Sequence, residues 1–284
     1  MIPVFYTPLM VADSRSISPS AAKPAKVVDS WNKQFPIEII EPVPVTNEEL
    51  YRAHERDFVD GVLSCMIENG FGNKSPQVAA SLKYTSGAML SAARHAIKTK
   101  SVAVAPVSGF HHAGFASSEG FCTFNGLMVA ALALAADGVK NVAILDLDMH
   151  YGNGTDNIIR KRNATFVKHF TAGKKYIEPS QAQEFFNELE SRLEWMSDSD
   201  VILYQAGADP HVNDPYGGFL TTTQLRIRDE IVFNAAKKAG VPIAWNLAGG
   251  YQTELDGSIP KVLEIHDNTM RECVRVYGAS DAHH

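Results

Sequence analysis

NVAILDLDMHYGNGT, residues 141–155, joins a short apolar run to a cluster of charged and polar residues. The run at 141–145 is rich in aliphatic side chains, and Asp146, Asp148 and His150 follow it directly. A short apolar run that ends in polar residues is typical of a buried strand whose end reaches the edge of a sheet. This stretch therefore predicts a fold in which reactive side chains follow a buried β-strand.

On both sides of this stretch, short apolar runs alternate with longer segments of helical periodicity. Strands are predicted at 101–107, 164–170, 200–204 and 241–247, and helices at 48–67, 78–97, 125–136, 181–196 and 222–239. Strands that alternate with helices of crossover length indicate an α/β fold with one open, mostly parallel sheet and helices on both faces. No repeat or linker interrupts the chain, so we predict a single domain over residues 1–284.

The composition limits the classes of function. Hydrophobic residues make up 45% of the chain and charged residues 20%, as in ordinary soluble proteins. The formal net charge of -6 argues against a nucleic-acid partner and favours cationic or neutral substrates. The three cysteines lack metal-finger spacing, and the N-terminus lacks the features of a signal peptide. We therefore expect a cytoplasmic protein that does not enter a membrane; the sequence gives no indication of its oligomeric state.

Polar clusters follow three further predicted strands. They are GFHHA at 109–113, QAGADP at 205–210 and AGGY at 248–251. The carboxyl ends of parallel strands meet at one rim of a sheet, where binding sites form. Clusters that are far apart in sequence are therefore predicted to converge into one site.

Asp148 and His150 suggest a metal site at this rim. Residues two apart on a strand point the same way, so the carboxylate and the imidazole are able to bind one cation. Asp209, from another strand, is a candidate third ligand. Three protein ligands and an open coordination position form the pattern of a catalytic zinc site. A lone Asp-x-His pair also fits a surface loop, but the companion clusters favour the metal.

The remaining polar residues of the clusters suggest acid–base chemistry. His111 and His112 are adjacent, and a histidine pair beside a metal is suited to deprotonating an attacking water. Asp146 is a candidate for orienting one of the two rings, and Tyr251 for donating its hydroxyl to an oxyanion. The alternatives are a buried structural histidine beside an exposed one, a strand-end cap, and a tyrosine ring packed over the double-glycine turn.

Taken together, these motifs resemble those of the histone deacetylase and acetylpolyamine amidohydrolase family. The resemblance rests on GFHHA, GFCTFN (120–125), DLDMHYGNGT (146–155), QAGADPH (205–211) and LAGGY (247–251), in the family's order. It is fainter in the first third of the chain, where AHERDFV (53–59) resembles a family segment that begins with His and ends with Tyr.

The resemblance implies a fold related to that of arginase and the hydrolysis of acyl-amide bonds, with zinc as cofactor. Asp148, His150 and Asp209 match the zinc ligands, and His111, His112 and Tyr251 the catalytic residues. Gly120 and Phe121 match the wall of the acyl tunnel, with Gly249 also beside the substrate. The resemblance further implies a potassium ion held by main-chain oxygens and by the Asp146 side chain. The expected substrate is a small acylated amine or an acyl-lysine peptide.

Three positions depart from the family's usual pattern. Class I members carry an Asp as partner of the second histidine, whereas this chain has Asn153. Class II-like members and the polyamine enzymes also have Asn at this position. Tyr151 replaces a second His after His150. If Pro24-Ala25-Lys26 matches the usual Pro-x-Arg, Lys26 replaces an arginine of the inner cavity.

Two other classes of function compete with this interpretation. Arginase-like dimanganese hydrolases carry a motif similar to Asp-x-His-x-Asp, in which the second Asp bridges the metals. In this chain Gly152 occupies the position of that second Asp. A non-catalytic acyl-lysine binding module needs neither the histidine pair nor Tyr251. Metal analysis separates the first alternative from a zinc hydrolase, and a turnover assay separates the second.

Overall fold

The fold is built on one parallel β-sheet. In a computed structural model, which describes residues 1–278, seven parallel strands form one sheet in the order β2-β1-β3-β7-β6-β4-β5. The strands are β1 Ile2–Phe5, β2 Ile37–Ile40, β3 Val102–Ala105, β4 Val142–Asp146, β5 Val167–Thr171, β6 Val201–Gly207 and β7 Ile243–Ala248. The prediction of an open parallel α/β sheet is confirmed.

Nine α-helices connect the strands and cover the sheet within the described part of the chain. They are α1 Lys23–Gln34, α2 Asn47–Ala53, α3 Arg56–Leu63, α4 Pro76–Thr99, α5 Gly126–Ala136, α6 Asn153–Arg162, α7 Ala182–Met196, α8 Thr222–Ala239 and α9 Pro260–Tyr277. Two hydrophobic clusters form the core, and the alternate residues of the strands divide between them: Ala143 and Leu145 belong to one, Val142 and Ile144 to the other. Both faces of the sheet are thus buried, as parallel sheets require.

The structure corrects the predicted elements at several points. The helix predicted at 48–67 is two helices, α2 and α3, because His54 adopts an extended backbone conformation and caps the first. The strands β1 and β2 and the helices α1, α6 and α9 escaped prediction. Both β1 and β2 are only four residues long, and β2 lies at the sheet edge with an alternation too short to recognise.

Two further sequence expectations concern the chain as a whole. No helix within residues 1–278 combines the length and the hydrophobicity that crossing a bilayer requires. Cys65, Cys122 and Cys273 all carry free thiols, in agreement with the absence of disulfide spacing in the sequence.

Candidate active site

The four strands that precede the polar clusters are neighbours in the sheet. They stand in the order β3-β7-β6-β4, so the segments that follow them share one rim. The first connects β3 to α5 and carries the histidine pair; those after β4 and β6 carry the candidate metal ligands; and the last carries Tyr251. Parallel pairing therefore brings together residues up to 140 positions apart, from His111 to Tyr251.

Asp148, His150 and Asp209 form a compact group of potential metal ligands. One ligand atom from each lies within 4.8 Å of the others. Nδ1 of His150 lies 3.2 Å from Oδ1 of Asp148 and 3.1 Å from Oδ2 of Asp209. The two carboxylates are buried, whereas the imidazole is partly exposed. An approach from solvent is therefore open on the imidazole side.

The charges of this group suit a cation. Burial raises the pKa of Asp209 to about 7, and the nearby negative charge of Asp148 adds to the rise. Hydrogen bonds to Asp148 and Asp209 raise the pKa of His150 to about 11. Two carboxylates buried this close together need a compensating positive charge. A divalent metal would supply that charge, and one imidazole with two carboxylates is a donor set that zinc accepts.

His111 lies beneath this group and is tied to Asp146. Its Nδ1 lies 2.8 Å from Oδ2 of Asp146, and its Nε2 lies 3.5 Å from Oδ1 of Asp148. Burial by itself lowers the pKa of His111, but the attraction of Asp146 and Asp148 outweighs it and raises that pKa to about 9. His111 is thus held in its charged form at neutral pH.

His112 has the opposite electrostatic environment. Its Nδ1 lies 2.6 Å from Oδ1 of Asn153, a neutral partner. Burial lowers the pKa of His112, and the positive charge of the neighbouring His111 lowers it further. The two rings are packed together, with 4.1 Å between their centroids. Of the pair, His112 is therefore the ring available to accept a proton.

Tyr251 follows the double-glycine turn after β7. Gly249 begins this turn with φ of 49°, and a Cβ there would lie 2.2 Å from the carboxyl carbon of Asp209, so only glycine fits. The backbone N–H of Tyr251 donates to Oδ2 of Asp214 at 2.8 Å. Burial, with the nearby charges of Asp209 and Asp148, raises the pKa of Tyr251 far above its usual range. Its phenol is therefore neutral and able to donate.

The predicted tunnel wall is a tight turn at 119–122. Gly120 and Phe121 both have positive φ, 56° and 63°, as the two central residues of a type I′ turn do. A Cβ on Gly120 would lie 2.4 Å from Cδ2 of His112, so this glycine lets the ring lie against the backbone. The ring of Phe121 faces that of Tyr251 with 5.7 Å between centroids. The structure thus places both residues beside the catalytic candidates; their role as a wall stays a prediction.

The prediction for Lys26 is wrong. Lys26 is exposed on α1, whereas Lys23, at the first position of that helix, is fully buried. The ammonium of Lys23 donates to the carbonyl oxygen of Gly249, and burial lowers its pKa to about 7. The inner end of the site therefore contains Lys23, which the sequence analysis did not single out because the two lysines differ only in their packing.

Asp146 and Gln205 form a buried hydrogen-bonded pair beneath the rim. The sequence pointed to Asp146 but not to Gln205. Oδ1 of Asp146 accepts hydrogen bonds from the backbone N–H of Asp148 and from Nε2 of Gln205, at 3.2 Å and 3.0 Å. The other carboxylate oxygen, Oδ2, lies 2.8 Å from Nδ1 of His111; the orienting role of Asp146 toward His111 stays a prediction. The potassium ion that the resemblance implied at Asp146 stays a prediction.

Fold and site define a class: an open α/β protein with an Asp-His-Asp group and a histidine pair at the strand ends. Residues 19–176, more than half of the chain, match the histone deacetylase domain model. An uncharacterized protein of Picosynechococcus is 29% identical over 178 residues, which cover 56% of this chain and 59% of that protein. Acetylpolyamine amidohydrolase of Mycoplana ramosa is 46% identical over 56 residues, 20% of this chain and 16% of that enzyme. The chain belongs to the histone deacetylase family.

A solved structure supports the same fold. The crystal structure of the HDA15 HD domain aligns with a TM-score of 0.77 at 19% identity, covering 98% of this chain and 92% of that one. This chain covers less than two thirds of the length of each of the two curated relatives.

Proposed function

We propose that this protein is a zinc-dependent hydrolase of acyl-amide bonds, most of all N-acetyl bonds, on lysine side chains, polyamines or similar small amines. The observation that carries the proposal is the group formed by Asp148, His150 and Asp209, with two buried carboxylates and a partly exposed imidazole, which lies beside a charged and a neutral histidine. Membership of the histone deacetylase family supports the reaction class. The seven strands form one sheet, which supports treating residues 1–284 as one domain.

Each side chain has a task in this chemistry. Zinc held by Asp148, His150 and Asp209 would supply Lewis acidity and a lowered pKa of bound water. His112 accepts the proton of the attacking water and later gives it to the leaving amine. The neutral phenol of Tyr251 donates a hydrogen bond to the oxyanion that develops on the amide carbonyl. His111, charged and hydrogen-bonded to Asp146, adds positive potential beside the proposed metal ligand Asp148.

The partners and the location follow from composition. A formal charge of -6 supports cationic acylated amines or acyl-lysine peptides as substrates, and argues against nucleic acid. The free thiols of Cys65, Cys122 and Cys273 support a reducing compartment, so we propose a cytoplasmic location.

The test combines metal analysis with a turnover screen. Protein purified in the presence of zinc should carry one zinc ion per chain and should release amine from members of a panel of N-acylated polyamines, lysine peptides and neutral amides. Asp209→Ala should lose both metal and turnover, whereas Asp256→Ala, at an exposed carboxylate, should lose neither. Two manganese ions per chain would instead indicate an arginase-like enzyme. Binding of the panel without turnover would indicate a non-catalytic module.

A further inference from the structure

An exposed carboxylate is connected to His112 through Asn153. Oδ1 of Asn153 lies 2.6 Å from Nδ1 of His112, and Nδ2 of Asn153 donates to Oε1 of Glu119. Glu119 is exposed at the rim, immediately before the turn residues Gly120 and Phe121. A continuous hydrogen-bonded chain therefore runs from solvent to the ring that acts as base in the proposed function.

The donors and acceptors of Glu119, Asn153 and His112 allow only one direction for this series of hydrogen bonds. An ionised carboxylate only accepts hydrogen bonds, so Glu119 requires the NH₂ group of Asn153. The carbonyl oxygen of the same amide must then face Nδ1 of His112, and this oxygen requires a hydrogen on that nitrogen. Neutral His112 consequently carries its proton on Nδ1 and leaves Nε2 bare.

The opposite orientation of the amide would disable the base. With the NH₂ group turned toward His112, Nδ1 would have to accept, and the proton of the neutral ring would move to Nε2. A ring in that tautomer has no lone pair on Nε2 with which to receive a proton from water. By itself Asn153 permits both orientations, because its amide presents an acceptor and a donor of similar shape.

The backbone on both sides holds the two outer groups in place. Glu119 and Cys122 exchange backbone hydrogen bonds of 3.1 Å and 2.8 Å across the two-residue turn. Asn153 is the first residue of α6, and its backbone N–H donates to the carbonyl of Tyr151 at 2.8 Å. The backbone of Glu119 and that of Asn153 are each held by these hydrogen bonds. The contact between the two side chains therefore costs only side-chain conformational entropy.

From this geometry we infer that Glu119 is a positioning residue, which fixes the orientation of Asn153 and, through it, the Nδ1–H tautomer of His112. The inference rests on the proposed function for the role of His112 as base. Since Asn153 separates the carboxylate from the ring, Glu119 directs the proton without placing a full negative charge against His112.

Kinetics of five variants test the inference on an uncharged acyl amide, toward which Glu119 exerts no charge attraction. Glu119→Ala should lower kcat roughly 5- to 10-fold with KM unchanged, the size expected for the loss of one hydrogen bond of about 1 kcal/mol. Glu119→Gln should give a kcat between those of Glu119→Ala and the wild type, because its amide oxygen accepts from Asn153 but its NH₂ group is equally able to donate to the reversed amide. In an Asn153→Ala background, Glu119→Ala should cause no further loss. Glu254→Gln, at an exposed carboxylate after Tyr251, is the matched control.

Two kinetic results would overturn the inference. A rise in KM with unchanged kcat would make Glu119 a substrate-binding residue of the rim. Losses that multiply in the double variant would show that Glu119 does not act through Asn153.

A second measurement needs no substrate and keeps the inference separate from the proposed function. The ¹⁵N chemical shifts of the imidazole nitrogens report which nitrogen carries the proton, and a His112→Asn variant assigns the His112 signals. Wild-type protein should show the Nδ1–H tautomer, whereas Glu119→Gln, whose amide both accepts and donates, and Glu119→Ala should each show a mixture of the two tautomers. A wild-type ring protonated on Nε2, or an unchanged spectrum in Glu119→Ala, refutes the inference even in an active enzyme. Conversely, the expected spectra in a protein that turns over no acyl amide would refute only the proposed function.

Discussion

At the scale of single residues, the site contains two adjacent histidines whose pKa values are shifted in opposite directions. His111 has its pKa raised to about 9 by Asp146 and Asp148, whereas burial and the charge of His111 lower the pKa of His112. Titratable groups that are driven apart in this way are a mark of acid–base chemistry. The difference arises from the partners, a carboxylate for one ring and an amide for the other.

This difference predicts unequal effects of the two histidines. His112→Ala should lower kcat more than His111→Ala, because only His112 is neutral and able to accept the proton of water. In the wild type, activity should fall as the pH decreases through the pKa of His112, which burial lowers from its usual value. A pH profile of kcat/KM measures both points, and the acidic limb assigned to His112 should vanish in His112→Ala. A clearly greater loss in His111→Ala would reverse the assignment.

Tyr251 provides a second prediction at this scale. Tyr251→Phe should lower kcat by roughly 10²–10³-fold, the usual cost of removing one oxyanion donor, with metal content unchanged. Tyr216→Phe is the matched control, since the Tyr216 ring packs edge-on against Tyr251 at 4.8 Å. A kcat close to the wild-type value in Tyr251→Phe would mean that this tyrosine only packs over the turn.

At the scale of elements, buried polar residues hold the rim segments to the helices. Nδ1 of His54, between α2 and α3, lies 2.8 Å from the carbonyl oxygen of Gly114, and its Nε2 accepts from the backbone N–H of Asn125 at 2.9 Å. Arg228 of α8 donates to the carbonyl oxygens of Leu147 and Gly207, at the ends of β4 and β6. These buried contacts thus hold the rim segments in place.

The buried state of His54 predicts a pH-dependent contribution to stability. Burial lowers its pKa from 6.5 to about 4, so the unfolded chain binds this proton more readily than the folded chain. The contribution is fully present above pH 6.5 and is lost as the pH falls toward 4, by at most about 3 kcal/mol. In His54→Gln, whose amide donates and accepts in the same way, the free energy of unfolding should decrease less over this range.

Urea unfolding of the wild type and His54→Gln at pH 7, 6 and 5 measures this difference. The pKa of His266 is also lowered by burial, but His266 is present in both proteins, so the comparison isolates His54. Identical pH dependence in the two proteins would show that His54 adds nothing to the acid sensitivity.

At the scale of the whole molecule, the net charge sets the sign of the long-range electric field around the protein. A chain with a formal charge of -6 attracts cations from a distance and repels phosphate. This field reaches about 10 Å at 0.1 M salt and only about 3 Å at 1 M.

Charge steering predicts an order of substrates. N-acetylated polyamines and acetyl-lysine peptides should have higher kcat/KM than uncharged acyl amides at low salt, and this advantage should shrink as salt is added. Steady-state kinetics for the three classes at low and high ionic strength provide the test. Higher kcat/KM for uncharged or anionic amides at every salt concentration would contradict the steering while leaving the hydrolase proposal intact.

The sequence by itself determined the sheet class and the main members of the site. Apolar runs followed by polar clusters are local patterns, and parallel pairing brings the strand ends to one rim, so Asp148, His150 and Asp209 were predicted together. Tertiary structure alone decided which lysine is buried, how His54 divides one predicted helix into two, and that Glu119 binds Asn153. These outcomes depend on contacts between segments far apart in the chain, such as Lys23 with Gly249. Local periodicity does not predict such contacts, because residues of the same type in neighbouring positions are distinguished only by how they pack in the folded chain.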